Sequence, residues 1–229
     1  MSDLLCFATI ALAGFAQASL QLSFGGLILL YHASMGQHRR RKTRHLTTAY
    51  ILGALVITML AVSGIAFWIS QLAGQALTLE MTLICAGMFI ACAAIMWLLY
   101  YRRGKNTELW LPRSFTRFIA RKAKSTDDSV EAFSLGTLSA FAEMPMSIAI
   151  FFVVANCILT VSAHLQLAAL LSYLLIVALP MLALKFYVRT GNNAVMAQRW
   201  RIKNKTFIRF ISSLSFMMLS VFVLTFWVY

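Results

Sequence analysis

Acidic residues are scarce in this sequence: 7 Asp and Glu stand against 20 Lys and Arg, for a formal net charge of +13 over 229 residues. Charged residues of both signs make up only 12% of the chain, about half the ~25% of a soluble domain. That is too little charge to cover a water-soluble surface, so an ordinary soluble enzyme is excluded. Proline is limited to 3 residues and cysteine to 4. Cys6, Cys85, Cys92 and Cys157 all lie inside apolar runs, with no CxxC spacing. Cys85 and Cys92 share one face of one helix and cannot bridge without breaking it, so the cysteines read as small apolar filler. No GxSxG, HExxH, P-loop or GxGxxG occurs in a suitable setting. One buried carboxylate is too few for paired acid–base work, and one His with one Glu makes a poor metal cage. No cofactor is expected, and without a visible catalytic set an enzyme acting on lipid ranks below a transporter or a scaffold.

What the chain has in abundance is apolar sequence: 61% of residues are hydrophobic and the mean hydropathy is +0.79. These residues fall into six runs, 4–31, 46–72, 77–101, 132–160, 165–188 and 207–229. Each is long enough to cross a bilayer as a helix. Ala16-Gln17-Ala18 resembles a signal-peptidase site, but the residues before it include Asp3 and no Lys or Arg. A secretory leader starts basic, so the first run reads as a retained helix.

Charge sets the topology. The segments after the first, third and fifth runs hold 5, 8 and 7 Lys/Arg, which is all 20, while those after the second and fourth hold none. The positive-inside rule places the basic loops in the cytoplasm and both termini outside, in the cell (cytoplasmic or inner) membrane. Positive charge interleaved with spans points to anionic lipid at the cytoplasmic face rather than to nucleic acid. In the basic loop 102–130, Leu111, Phe115, Phe118 and Ile119 fall on one helical face, with Arg113, Arg117, Arg121 and Lys124 largely elsewhere. This predicts an amphipathic helix on the inner leaflet, whose Arg113, Arg117, Phe118 and Arg121 contact lipid or a docking partner.

One carboxylate, Glu143, sits inside the fourth run, two residues before Pro145. A charge at that depth costs roughly 2.5–3.5 kcal/mol on insertion scales, and such residues are usually functional. The proline removes a helical hydrogen bond close by. Glu143 is therefore the candidate coupling or binding group, with Pro145, His32, Ser139, Gln21 and Asn156 as candidate companions and Ser134 and Ser23 as further polar neighbours. The alternative is a carboxylic acid that serves only as a structural hydrogen bonder. Gln17 and Gln21 share a face of the first helix, Gly25-Gly26 would permit the close approach of a neighbour or a bend, and Pro180 would open a carbonyl in the fifth or simply kink it for packing. His32 lies next to a basic loop and can equally be interfacial; His38, His45 and His164 read as solvated.

The chain also carries an internal repeat. A slide of 111 places Ser23, Gly25, Leu27 and Met35 on Ser134, Gly136, Leu138 and Met146, with His32 opposite Glu143. A slide of 119 places Leu46, Ala49, Leu52 and Phe67 on Leu165, Ala168, Leu171 and Phe186. Three helices per half is an odd number, so the halves enter the membrane from opposite sides. That is an inverted-topology repeat, whose site is expected where the halves meet. His32 and Glu143 are not at symmetric depths, which predicts a first helix that is tilted, broken or different in role.

The 3+3 plan, the glycine-containing first and fourth helices and the proline after the glycine resemble the lysine-exporter superfamily. That resemblance implies a small exporter of amino acids or ions. The chain departs from the superfamily's thiol-electron carriers, which have cysteine beside proline where this chain has His32-Ala33-Ser34 and Glu143-Met144-Pro145. It departs from its metal exporters too, whose first helix is rich in aspartate.

The expectation is an all-α polytopic membrane protein with six transmembrane helices in a 3+3 inverted repeat. Residues 1–101 form the first half, 102–130 the basic cytoplasmic loop and 131–229 the second half. Its function is expected to be secondary transport of a small solute or ion, with a homo-oligomer compatible with this plan. The alternative is a scaffold or accessory subunit that docks a partner through the basic loop.

Overall fold

A computed structural model describes residues 3–20, 22–35, 40–72, 79–102, 121–122, 126, 128–190, 196, 200 and 203–227. Among these residues there is no strand. The helices are α1 (Asp3–Leu20), α2 (Leu22–Met35), α3 (Arg40–Leu72), α4 (Leu79–Arg102), α5 (Ser129–Thr160), α6 (Gln166–Arg189) and α7 (Lys205–Trp227), with one 3-10 turn, Ala163–Leu165, before α6. Five are long and apolar enough to cross a membrane, and α1 with α2 makes a sixth if the bent pair is one span. The protein is thus an all-helical, multi-pass membrane protein. Leu52, Leu60, Phe67, Ile84, Ile90, Phe141, Leu175 and Phe186 are exposed, the outward apolar surface that lipid covers.

One boundary differs from the sequence expectation, and the break expected in the first run is present. The second helix begins at Arg40, not at 46, so Arg40, Arg41, Lys42 and Arg44 belong to the helix. At 33 residues α3 is ~50 Å long, well beyond a ~30 Å hydrocarbon core. Its first turns therefore reach into the headgroup layer. The first run is not one straight helix: its axis turns by 47° between Asp3–Ser19 and Phe24–Tyr31.

At the centre stands α5. Its most apolar window is 56% buried, against 28% in α3 and in α4. Asp128 caps it, accepting a 2.6 Å bond from the Ser129 amide, and Glu131 lies in its first turn, complementing the helix dipole. The most extensive packing joins α3 to α5, followed by α4 to α7. Further contacts join α1 to α5, α6 and α7, α2 to α3, α5 and α6, α3 to α6, α4 to α5 and α5 to α6.

Small residues make these contacts close, as membrane packing requires in the absence of a hydrophobic drive between helices. A Cβ on Gly136 would fall on the Tyr50 backbone carbonyl, and one on Gly53 would fall on that of Phe133. Thr137 donates to the Gly53 carbonyl at 3.3 Å across the same seam. Between α4 and α7, Ser213 and Ser220 donate to the carbonyls of Ala93 (3.2 Å) and Ala86 (3.1 Å). Trp68 of α3 meets Phe152 of α5 edge to face, ring centres 5.9 Å apart.

Two polar ties close the bundle ends. Lys185 of α6 donates to Thr48 of α3 at 2.8 Å on the side of the basic segments. On the other side, Ser162 donates its hydroxyl to Asp3 at 2.6 Å and its amide at 3.4 Å. Hydrogen bonds to a charged acceptor contribute about 1.5–3 kcal/mol, so Asp3→Ala is expected to loosen the first turns of α1 against the α5–α6 link. Hydrogen–deuterium exchange of the 4–12 segment should speed up while α4 and α7 stay unchanged. Unaltered exchange in that segment would show the tie to be without weight.

Candidate intramembrane polar site

The buried apolar residues separate into two clusters. One takes Cys6 to Ala16 of the first span, Val62 and Ile69 of α3, Ala149 to Ile158 of α5 and Ala169 to Val177 of α6, together with α4 and α7. The other takes Leu27 to Tyr31, Leu46 to Ala54, Ala132 to Ala140, and Met181 and Leu184. Along four helices the change from one cluster to the other falls at a single level, and polar residues mark it. On the first span Gln17 follows Ala16; on α3 Thr58 lies between Ala54 and Val62; on α5 Glu143 and Ser147 lie between Ala140 and Ala149; on α6 the change falls at Ala178 to Pro180. The bend between α1 and α2 is at the same level.

Most buried Ser and Thr side chains are satisfied by their own helix: Thr9, Thr47, Thr58, Ser139 and Ser212 each donate to the carbonyl four residues earlier. Such bonds are structural and need no function. The polar level is different, because its groups meet across helices. Tyr173 of α6 donates a hydrogen bond to the Gln17 side-chain oxygen of α1. Tyr50 of α3 extends its hydroxyl to Ser139 of α5, and Gly26 of α2 gives it room: a Cβ there would strike that hydroxyl. Glu143 is 6% exposed and, among the described residues, is the one buried charged side chain. It lies within electrostatic range of both tyrosines. One tyrosine belongs to each apolar cluster.

Of the residues singled out from sequence, Glu143 and Ser139 are brought together with Tyr50 and with the Gln17–Tyr173 pair. Pro145 is exposed on the outer side of α5, so its ring faces away from the site. Asn156 is buried but stands about 20 Å further along α5 at 1.5 Å per residue, outside this level. Ser134 is exposed and bonds back to the Glu131 carbonyl at 2.8 Å, so it is no companion of Glu143. His32 lies on α2, about 9 Å along the axis beyond Gly26; its side chain and that of Ser23 are not described. Gln21, Arg113, Arg117 and Phe118 also lie outside them, and with them most of the basic loop; Arg121 is exposed.

Sequence reasoning missed Tyr50 and Tyr173; the close approach expected at Gly25-Gly26 is present at Gly26, and the neighbour is Tyr50. Tyrosine in a span belongs at the headgroup level, so Tyr173 in mid-run carried a signal that went unread. Spacing along the chain could not reveal that Cys6 of α1 and Cys157 of α5 lie within hydrogen-bonding reach of each other, with Thr160 3.3 Å from Cys6. Among the described residues no three His, Cys, Asp or Glu come together to hold a metal. A cleft of about 400 Å³ between α1 and α7 is apolar, lined by Leu12, Met217, Met218, Val221, Phe222 and Thr225, and suits an acyl chain better than a polar solute.

No protein-family model, curated protein or solved structure matches the chain. The likeness to the lysine-exporter superfamily therefore stands on the sequence motifs alone.

Proposed function

We propose that the chain is a small secondary transporter of the cell membrane, an exporter of a small solute or ion, with Glu143 as its coupling or binding group. The observation that carries this reading is the position of that carboxylate. It is buried, at the one level where two apolar seals meet, beside a span whose axis is bent by 47°. Discontinuous helices around a mid-membrane site are the common plan of secondary transporters. An acid that only held helices together would not need a seal on each side.

The inverted repeat belongs to the same proposal, with both termini outside. Helix packing supports it. Take α1 with α2 as the first span, followed by α3, α4, α5, α6 and α7, and exchange first with fourth, second with fifth, third with sixth. The α3–α5 pair becomes α6–α1, α1–α7 becomes α5–α4, and α2–α3 becomes α5–α6. The pairs α4–α7, α1–α5 and α3–α6 return to themselves. Each of these packed pairs has its counterpart among the observed contacts.

The test is flux through reconstituted vesicles. Proteoliposomes loaded with amino acids, alkali cations and a trapped pH dye, then placed under a pH gradient, should release a subset of the load with accompanying proton movement. Glu143→Gln, which keeps size and shape, is expected to cut that flux more than tenfold while remaining monodisperse in detergent. Full flux in the variant would remove Glu143 from the mechanism. No flux in wild type, with binding of a soluble partner lost on Arg121→Ala, would favour the scaffold reading.

A further inference from the structure

We infer that Tyr50 and Tyr173 are a matched pair of gates, one in each apolar seal, closing the Glu143 level from opposite faces of the membrane. This rests on the transporter reading and assigns it two positioning residues. The two tyrosines occupy comparable places, each beside a glycine of the facing helix. At Gly14 of α1 a Cβ would lie 2.9 Å from Ile176 and 3.5 Å from the Tyr173 ring. The Tyr173 hydroxyl then bonds Gln17, one turn further along. Tyr50 presses its backbone on α5 at Gly136, and its hydroxyl meets Ser139, again one turn further along.

Gly136 and Ser139 follow Gly14 and Gln17 by the same 122 positions, and Tyr173 follows Tyr50 by 123. The halves are thereby placed in a register of 122, not the 111 suggested by identities in apolar sequence. In the new register Glu143 pairs with Gln21, and Pro145 pairs with position 23. The bend of the first span, between Ser19 and Phe24, then falls opposite the proline of the fourth. His32 no longer has to match Glu143, and the mismatch in their depths disappears.

The chemistry suits a gate. A tyrosine ring blocks a path by bulk, and its hydroxyl pins the ring to a polar residue on the facing span. Glycine at the point of contact lets ring or backbone lie flat on that span. Both hydroxyls are within electrostatic range of Glu143, so a change in the charge or occupancy of the carboxyl acts on both pins at once. Tyr50 belongs to the cluster toward the basic segments and Tyr173 to the opposite one, so releasing one leaves the other closed.

Ser147→Cys, one turn beyond Glu143 and buried, provides a reporter. A membrane-impermeant thiol reagent is applied to right-side-out and to inside-out vesicles, and modification at residue 147 is read by mass spectrometry, so the native cysteines can stay. Tyr50→Phe keeps the ring and the fold but loses the pin, which corresponds to roughly five- to tenfold for one hydrogen bond. Labelling should rise by that factor from the basic-loop face only. Tyr173→Phe should do so from the other face only, and the alanine variants more strongly with the same sidedness. Equal labelling from both faces, the same face for both tyrosines, or no change in any variant would overturn the gates. Flux separates the two claims. Side-specific labelling with full flux in Glu143→Gln keeps the gates and removes the coupling role; loss of flux in that variant without sidedness does the reverse.

Discussion

Among the described glycines, Gly136→Ala is expected to be the most damaging single-methyl change, lowering stability by about 3 kcal/mol, the upper end of the usual overpacking cost. The added Cβ lands on the carbonyl oxygen of Tyr50, with the carbonyl carbon 2.9 Å and Cα 3.1 Å away. Those are backbone atoms of a helix, and no rotamer change can move them. Either α3 slides away from α5 or the helix deforms, and the α3–α5 seam is the largest in the fold. Thermal unfolding in detergent should shift down by roughly 6–12 °C, at 2–4 °C per kcal/mol for a chain of this size. Gly53→Ala meets the Phe133 carbonyl in the same way. Because the two clashes share one seam, the double variant should cost well below the sum of the singles. Full additivity would mean that the two contacts yield independently. A shift of less than about 2 °C for Gly136→Ala would show the close approach to be dispensable.

Gly26→Ala is expected to cost about 2 kcal/mol for a different reason, and that difference makes it reversible. Here the new methyl strikes a side-chain atom, the Tyr50 hydroxyl, while the ring carbon behind it is 3.2 Å away and Ser139 Oγ is also at 3.2 Å. Tyr50→Phe removes the atom in the way. The pair Gly26→Ala with Tyr50→Phe should therefore recover most of the loss, whereas Tyr50→Phe should rescue nothing in Gly136→Ala, whose obstacle is a backbone carbonyl. A four-variant cycle of unfolding midpoints decides the matter. If Tyr50→Phe fails to rescue Gly26→Ala, the ring is not held where it meets α2.

These glycines show how far the sequence could be read. The six runs, their order and the isolated carboxylate were legible because hydropathy and charge are local properties of the chain. The bend of the first span was legible in the unequal depths of His32 and Glu143 and in Gly25-Gly26, which offered a bend or a close neighbour. The bend falls slightly earlier, and Gly26 supplies the close approach, as clearance for Tyr50. The companions of Glu143 were the least legible part. Ser134 and Asn156 were chosen as polar letters on the right helix, but one faces outward and the other belongs to a different level. Tyr50 and Tyr173 carry their apolar rings within apolar runs, and only the fold brings both within electrostatic range of Glu143. The register of 122 that we propose departs from the slide of 111 for a related reason: chance identities are frequent among Leu, Ala, Gly and Ser, whereas the contacts at Gly14 and Gly136 are not a matter of letters.

The seam between α3 and α5 has a mechanical consequence. Its tightest points, Gly53 and Gly136, lie off-centre, toward the basic end of both helices, while Trp68 and Phe152 meet far along the other arm. Such a pair is a lever whose fulcrum divides α3 unequally. At 1.5 Å per residue Trp68 lies ~23 Å from Gly53 and Arg40 ~20 Å to the other side, so a rocking of roughly 10° carries the two ends through about 3–4 Å in opposite directions. The Tyr50 backbone, resting on the fulcrum, stays nearly still. The edge-to-face contact of Trp68 with Phe152 sits far along one arm, where such a motion must break it.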